Sequence, residues 1–163
     1  MKLILKISLL TFWVFTLNFF SCQQVPNISI NDLSGNKLNI SKIDSSQPVV
    51  LSFWATWCLP CLEELNAISE KYDDWKKEAN FSMYAISTDD ARTSSKVKTI
   101  VKSKGWAYEI LFDPNQNLKR ALNINTIPHT VLIHKGKIVY SHVGYSPGDE
   151  DELIAKIKEC YRY

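Results

Sequence analysis

The sequence predicts an α/β fold in which a mixed central sheet is flanked by helices. Three observations lead there. Short apolar runs of strand length alternate with longer stretches of helical period, the pattern of a largely parallel sheet. The first central run leads into Trp57-Cys58-Leu59-Pro60-Cys61, two cysteines at a strand-to-helix junction. The last third of the chain reads as strand, tight turn, strand and helix, which adds antiparallel strands and makes the sheet mixed.

The elements follow in order. Residues 28–40 alternate apolar and polar on both sides of Ser34-Gly35-Asn36 and predict a hairpin. Residues 41–48 are polar and turn-rich, hence a loop, and 48–54 form a buried central strand. From Leu59, the residues Leu62, Leu65, Ile68, Tyr72, Trp75 and Ala79 recur at helical spacing, with charged residues between them. Pro60 falls in the first turn of that helix, where proline is tolerated. Residues 81–88 are a second buried strand. Asp89-Asp90 then reads as the start of a helix carrying Val97, Ile100 and Val101 and ended by Gly105. Residues 106–112 are a third strand, Asp113-Pro114-Asn115 a turn, and 117–123 a short helix. Residues 126–145 form a hairpin turning at Lys135-Gly136. A final helix begins near Asp149, with Leu153, Ile154, Ile157 and Tyr161 on one stripe.

Residues 1–21 stand apart. They hold Lys2 and Lys6, no acid, and an apolar run over 7–20, the pattern of an export signal. That run is shorter than the roughly 20 residues a membrane span needs, so an uncleaved anchor is the lesser alternative. Residues 22–163 suit one domain with one core. The chain has 19 Lys and Arg against 17 Asp and Glu. Without Lys2 and Lys6 the charges balance, which argues against a nucleic-acid partner.

The four cysteines are Cys22, Cys58, Cys61 and Cys160. A structural zinc site needs four ligands, yet there is no second cysteine pair, and His129, His134 and His142 are not spaced as a finger. Haem attachment needs a histidine directly after the second cysteine, where this chain has Leu62. A structural disulfide over so short a loop constrains little chain entropy. Redox exchange is left. Cys58, at the helix N-terminus, is where free amides and the helix dipole favour a thiolate, so it is the expected nucleophile. Cys61, one turn in and facing the core, is the expected resolving thiol. Cys160 falls on the apolar stripe of the last helix and reads as a buried, inert thiol.

Residues 53–61, Phe-Trp-Ala-Thr-Trp-Cys-Leu-Pro-Cys, with the distant Thr126-Ile127-Pro128 before a strand, resemble the thioredoxin superfamily. The leader, the first hairpin and the extra segment near 81–104 resemble its exported, membrane-tethered TlpA/ResA-like thiol–disulfide oxidoreductases, over residues 25–160. The resemblance implies a thioredoxin-like fold with an N-terminal β-hairpin extension and an inserted βα segment. It implies that Pro128 packs on the disulfide after a cis bond, while the backbone of Ile127 stays free to pair with a bound substrate strand. Trp57 and Pro60 would border the substrate, and Trp54 would be core. Thioredoxin carries a buried acid where this chain has Ser52. TlpA/ResA-like proteins have a glutamate where this chain has Glu64, beside Cys61 at i+3. Glu64 is thus the candidate proton carrier and pKa tuner, or else a plain first-turn acid. Glu63 faces away. His129 could touch substrate or be a plain strand histidine.

Phe-Phe-Ser-Cys-Gln-Gln over 19–24 resembles the end of a bacterial lipoprotein signal, which would make Cys22 a lipidated N-terminus. Phe19 and Phe20 depart from the Leu and small residue usual there. An ordinary cleaved signal is the alternative. The resemblance implies clients that are exported proteins with disulfides, apocytochromes c among them, and a membrane electron donor of thiol–disulfide type. No metal, no bound cofactor and a monomer are expected. A copper metallochaperone of the same fold and a non-catalytic binding module are the rival readings.

Overall fold

The computed structural model describes residues 24–162. The leader and Cys22, and with them the expected signal and lipid anchor, lie outside the described residues.

The described residues build one seven-stranded sheet. The first strands are β1 (Ser29–Asp32), β2 (Lys37–Asn39) and β3 (Val49–Trp54). Helix α1 (Leu59–Glu78) follows, then β4 (Ser82–Ser87), α2 (Ser94–Lys104) and β5 (Glu109–Phe112). The chain closes with α3 (Asn117–Ala121), β6 (His129–His134), β7 (Lys137–Val143) and α4 (Asp149–Glu159). The spatial order is β2-β1-β5-β4-β3-β6-β7. Strands β5, β4 and β3 are parallel; β6 and β7 continue antiparallel beside β3, and the first hairpin continues antiparallel beside β5. This is the thioredoxin-like mixed sheet with both expected additions.

Every residue of β3 is buried because the strand is central and covered on both faces. Its side chains alternate. Val49, Leu51 and Phe53 join Ile86, Leu111, Val131 and Ile133 on the face that carries Leu118 and Leu122 of the α3 region. Val50 and Trp54 point the other way, into a core built with Leu65, Ile68 and Trp75 of α1 and Leu153, Ile154 and Ile157 of α4. Ser52 is the one polar residue of the strand, and it lies on this second face by the same alternation.

Three boundaries differ from the sequence reading. Helix α2 begins at Ser94 rather than at Asp89-Asp90. Asp90 instead closes a turn by accepting the N–H groups of Arg92 and Thr93 at 2.9 and 3.1 Å, and Asp89 is drawn inward to the cysteine loop. Strand β5 begins at Glu109 rather than at residue 106. Trp106 and Tyr108 are buried but bonded to α1: the indole N–H donates to Asn66 at 3.2 Å and the phenol to the Leu65 carbonyl at 2.8 Å. These side-chain anchors hold the chain over the helix before it enters the sheet. Tyr161 lies beyond the end of α4 and is exposed, so the stripe stops at Ile157.

Candidate active site

Strand β3 ends at Trp54, and a short loop delivers Cys58 to the N-cap of α1. Extended backbone at Cys58 and Pro60 in the first turn set the helix start. The loop is pinned from the C-terminal end of β4. Thr88 donates its N–H at 2.8 Å and its hydroxyl at 3.0 Å to the Trp54 carbonyl. Asp89, buried, accepts the Thr56 N–H at 2.8 Å and the Thr56 hydroxyl at 2.6 Å. The Ser87 hydroxyl donates to the same carboxylate at 3.0 Å. The sequence reading gives none of Thr56, Ser87, Thr88 and Asp89 a role at the site. Asp89 carried a signal, but a misleading one, because Asp-Asp before an amphipathic run is also how a helix begins.

Cys58 and Cys61 are joined in a disulfide, with their Cα atoms 5.3 Å apart. Cys61 is completely buried, whereas Cys58 keeps 6 % of its surface. Cys58 is therefore the more accessible cysteine, yet far less open than its place at a helix start suggests. The exposed surface around the pair comes from Trp57, Leu59 and Pro60; Trp57 is 70 % exposed. Trp54 is core, edge-on to Trp106 at 5.2 Å.

The Ile127–Pro128 bond is cis. Pro128 is buried, and its carbonyl accepts the Gly144 N–H at 2.9 Å. The β3–β6 register sets Phe53 opposite His129, so Pro128 lies at the end of the sheet from which the cysteine loop departs. The backbone N–H and C=O of Ile127 make no hydrogen bond among the described residues. His129 bonds Ser141 through Nε2 at 2.8 Å, its Nδ1 is buried without a partner, and burial pushes its pKa down.

Glu64 is buried at 5 % exposure on the inner face of α1, three residues from Cys61 and with Leu65 beside it. Its carboxyl accepts the Thr130 hydroxyl at 2.8 Å and the Ser52 hydroxyl at 3.3 Å. Burial raises its pKa to about 7, against the opposing pull of those two hydrogen bonds. Ser52, which stands where thioredoxin keeps its buried acid, thus serves as a donor to the acid supplied by α1. Glu63 is exposed on the opposite side. Cys160 is only half-buried, on the wall of a surface pocket with Val139, Tyr140 and Lys156, because α4 ends one residue before it. Burial raises the pKa of its thiol, which keeps it a weak nucleophile.

A redox-spaced cysteine pair at a helix N-terminus, a cis-proline loop and a buried carboxyl on a mixed sheet define a thioredoxin-fold thiol–disulfide oxidoreductase. The comparisons with known proteins place it further: residues 22–141 match the AhpC/TSA family, and the chain belongs to that family and to its ResA-like thiol–disulfide oxidoreductases. It is 30 % identical over 135 residues to "Thiol-disulfide oxidoreductase ResA" of Bacillus thuringiensis (strain Al Hakam), covering 82 % of this chain and 76 % of the relative. Among solved structures, an uncharacterized thioredoxin-like protein from Porphyromonas gingivalis matches at TM-score 0.74 and 40 % identity, over 86 % of this chain and 94 % of that one. A putative thiol:disulfide interchange protein DsbE from Chlorobium tepidum matches at TM-score 0.73 and 25 % identity, over 85 % of this chain and 96 % of that one.

Proposed function

We propose that this oxidoreductase is exported, is held at a membrane by a lipid on Cys22, and reduces disulfides in other exported proteins, apocytochromes c among the candidate clients. The observation that carries the reading is the asymmetry of the pair: one cysteine at a helix N-terminus that keeps a little surface, beside exposed Trp57, Leu59 and Pro60, and one fully buried cysteine three residues from an acid. In the reduced protein the amides of the first turn of α1 favour the Cys58 thiolate. It attacks a client disulfide, and the first client sulfur leaves as a thiolate. The unpaired backbone of Ile127 offers the client segment an edge to pair with. Cys61 then gives its proton to Glu64, and its thiolate attacks Cys58 Sγ. The Cys58–Cys61 bond forms, the bond to the client breaks, and the second client sulfur departs and is protonated. Both client thiolates take their protons from solvent, so the client gains two electrons and two protons; the enzyme gives up two electrons, the Cys58 proton when its thiolate forms and the Cys61 proton by way of Glu64, and is recharged by a membrane thiol–disulfide donor. The leader before Cys22 supports export, and among the described residues no helix is long and apolar enough to cross a membrane.

The test is reduction of insulin with a small dithiol as electron source, run beside a copper titration of the reduced protein. Turnover without stoichiometric copper binding is expected. Tight copper binding with no turnover would replace the reductase reading with a metallochaperone. Fractionation tests the anchor: wild type should pellet with membranes and Cys22→Ser should not. A wild type found in the soluble exported fraction would remove the lipid claim alone.

A further inference from the structure

Glu64 is enclosed, and so are its partners Ser52 and Thr130. A carboxyl that takes a proton from Cys61 at each turnover must also release it. The side of the molecule with the disulfide is covered by the bound client at that moment. On the other side a row of polar groups runs from Glu64 toward the surface.

On the α1–α4 face of the sheet, Ser52 of β3 pairs directly with Thr130 of β6, and Thr130 pairs directly with His142 of β7. These three polar residues form a row across a face whose flanking positions are Val50, Trp54, Leu132 and Tyr140. The row starts under Glu64 and ends at the edge strand, where His142 is partly exposed. His142 Nε2 lies 3.2 Å from Asp149 Oδ2 at the start of α4, and that oxygen also accepts the Ser146 N–H at 2.7 Å. Glu64, Thr130, Tyr140, His142, Asp149 and Glu150 line one small cleft. We propose that His142, held by Asp149, is the outlet through which the proton on Glu64 exchanges with solvent, on the side of the sheet away from the client. The proposal rests on Glu64 being the proton carrier.

The other groups facing the cleft are unsuited to the task. Glu150 accepts from Lys71 at 3.0 Å, Tyr145 at 3.1 Å and the Gly148 N–H at 2.9 Å. Burial opposes its ionisation, but these donors hold its pKa down to about 2, so it does not keep a proton. Tyr140 is pushed up to about 12, by burial first and by nearby acids, so it does not lose one. An imidazole has two ring nitrogens, so it can accept a proton at one while the other donates to Asp149. With Nε2–H donated to Asp149, Nδ1 takes the incoming proton. The imidazolium, paired with the carboxylate, then gives a proton to water at the surface. In the enzyme's own re-reduction the same path runs inward.

An outlet changes rates and leaves equilibria alone, and the experiment uses that difference. Reduced full-length protein is mixed with an oxidised protein disulfide, and the rate of Cys58–Cys61 formation is followed by tryptophan fluorescence from pH 5.5 to 8.5. The thiol–disulfide equilibrium against glutathione is measured in parallel. His142→Gln keeps a donor for Asp149 but has no ring nitrogen to relay a proton. It should slow the reaction about tenfold at neutral pH, leave the glutathione equilibrium unmoved, and recover speed as free imidazole is added. Glu64→Gln should be slow and not rescued, and the double variant no slower than Glu64→Gln alone. Glu63→Gln is the control and should match wild type. If Glu64→Gln is slow while His142→Gln runs at the wild-type rate, the outlet is overturned. If His142→Gln shifts rate and equilibrium together without rescue, the histidine acts on the site by its charge and the outlet is equally overturned. If Glu64→Gln matches wild type, the proton-carrier reading on which the outlet stands has failed.

Discussion

Cys58 and Cys61 differ by little in sequence and by much in surroundings. Cys58 caps a helix and keeps some surface; Cys61 has none. Cys61→Ser should therefore accumulate mixed disulfides with clients through Cys58, and Cys58→Ser should accumulate none, as read on non-reducing gels after acid quenching. Comparable trapping by both variants would remove the assignment. Glu64 makes a second prediction. Its pKa is raised from 4.5 to about 7. For an acid, that sign means that ionising it costs stability: the penalty is absent below pH 4.5, grows through the interval, and is complete above pH 7. At about 1.4 kcal/mol per pKa unit the full penalty is on the order of 3 kcal/mol. Glu64→Gln should accordingly raise the melting temperature of the oxidised protein at pH 8 and change it little at pH 4.5. In the reduced variant a thiol pKa should fall, because the carboxylate charge that disfavours a nearby thiolate is gone. Thiolate absorbance against pH checks this, and curves matching wild type would leave Glu64 an ordinary buried acid.

At the scale of elements, the position of the cysteines depends on β4 as much as on α1. Asp89 holds Thr56 by two hydrogen bonds, and Thr88 holds the end of β3 by two more. Asp89→Ala leaves the Thr56 N–H, the Thr56 hydroxyl and the Ser87 hydroxyl without their acceptor. A loss of roughly 2–4 kcal/mol is expected, since each buried group left unpaired costs about 1–3. Disulfide exchange should slow as well, because the loop that sets the start of α1 is released. Denaturant unfolding and exchange rate, measured on one preparation, check both. The end of α2 offers a milder case. Gly105 sits at φ +66°, and its N–H bonds the Val101 carbonyl at 3.0 Å. A Cβ there would meet nothing within 4 Å, so Gly105→Ala is penalised by backbone conformation alone. About 1 kcal/mol is expected, with exchange rates unchanged.

At the scale of the whole molecule, two buried carboxyls pull the pH dependence of folding in opposite directions. Glu64 gives the folded state less support as pH rises from 4.5 through 7. Glu150 is held down to about 2 by Lys71, Tyr145 and the Gly148 N–H, so its contribution is whole above 4.5 and is lost as pH falls toward 2. Between them these groups favour a stability maximum near pH 5. Glu64→Gln should flatten the alkaline side, and Glu150→Gln the acid side, in urea midpoints measured across pH 3–8. A wild-type maximum at pH 8 would contradict the Glu64 assignment, and a midpoint that holds level from pH 5 down to pH 3 would contradict that of Glu150.

The sequence by itself determined what is local. The apolar run over 48–54 and the helical period after Leu59 are properties of neighbouring residues, so the strand, the helix and the cysteine pair at their junction could be read directly. Pro128 and Glu64 could be reached only through resemblance, since nothing in a Thr-Ile-Pro or a Cys-Leu-Glu-Glu run shows what lies across from it. Tertiary structure decided the remainder. Asp89 reads locally as a helix start, but a half-buried Thr56 N–H more than thirty residues away competes for its carboxylate and wins. Trp106 and Tyr108 read as strand, yet their polar atoms are spoken for by α1. Ser52, Thr130 and His142 are unremarkable each in its own segment. They become one polar row only because the register of three strands, fixed by which side chains must face the core, brings them to the same line.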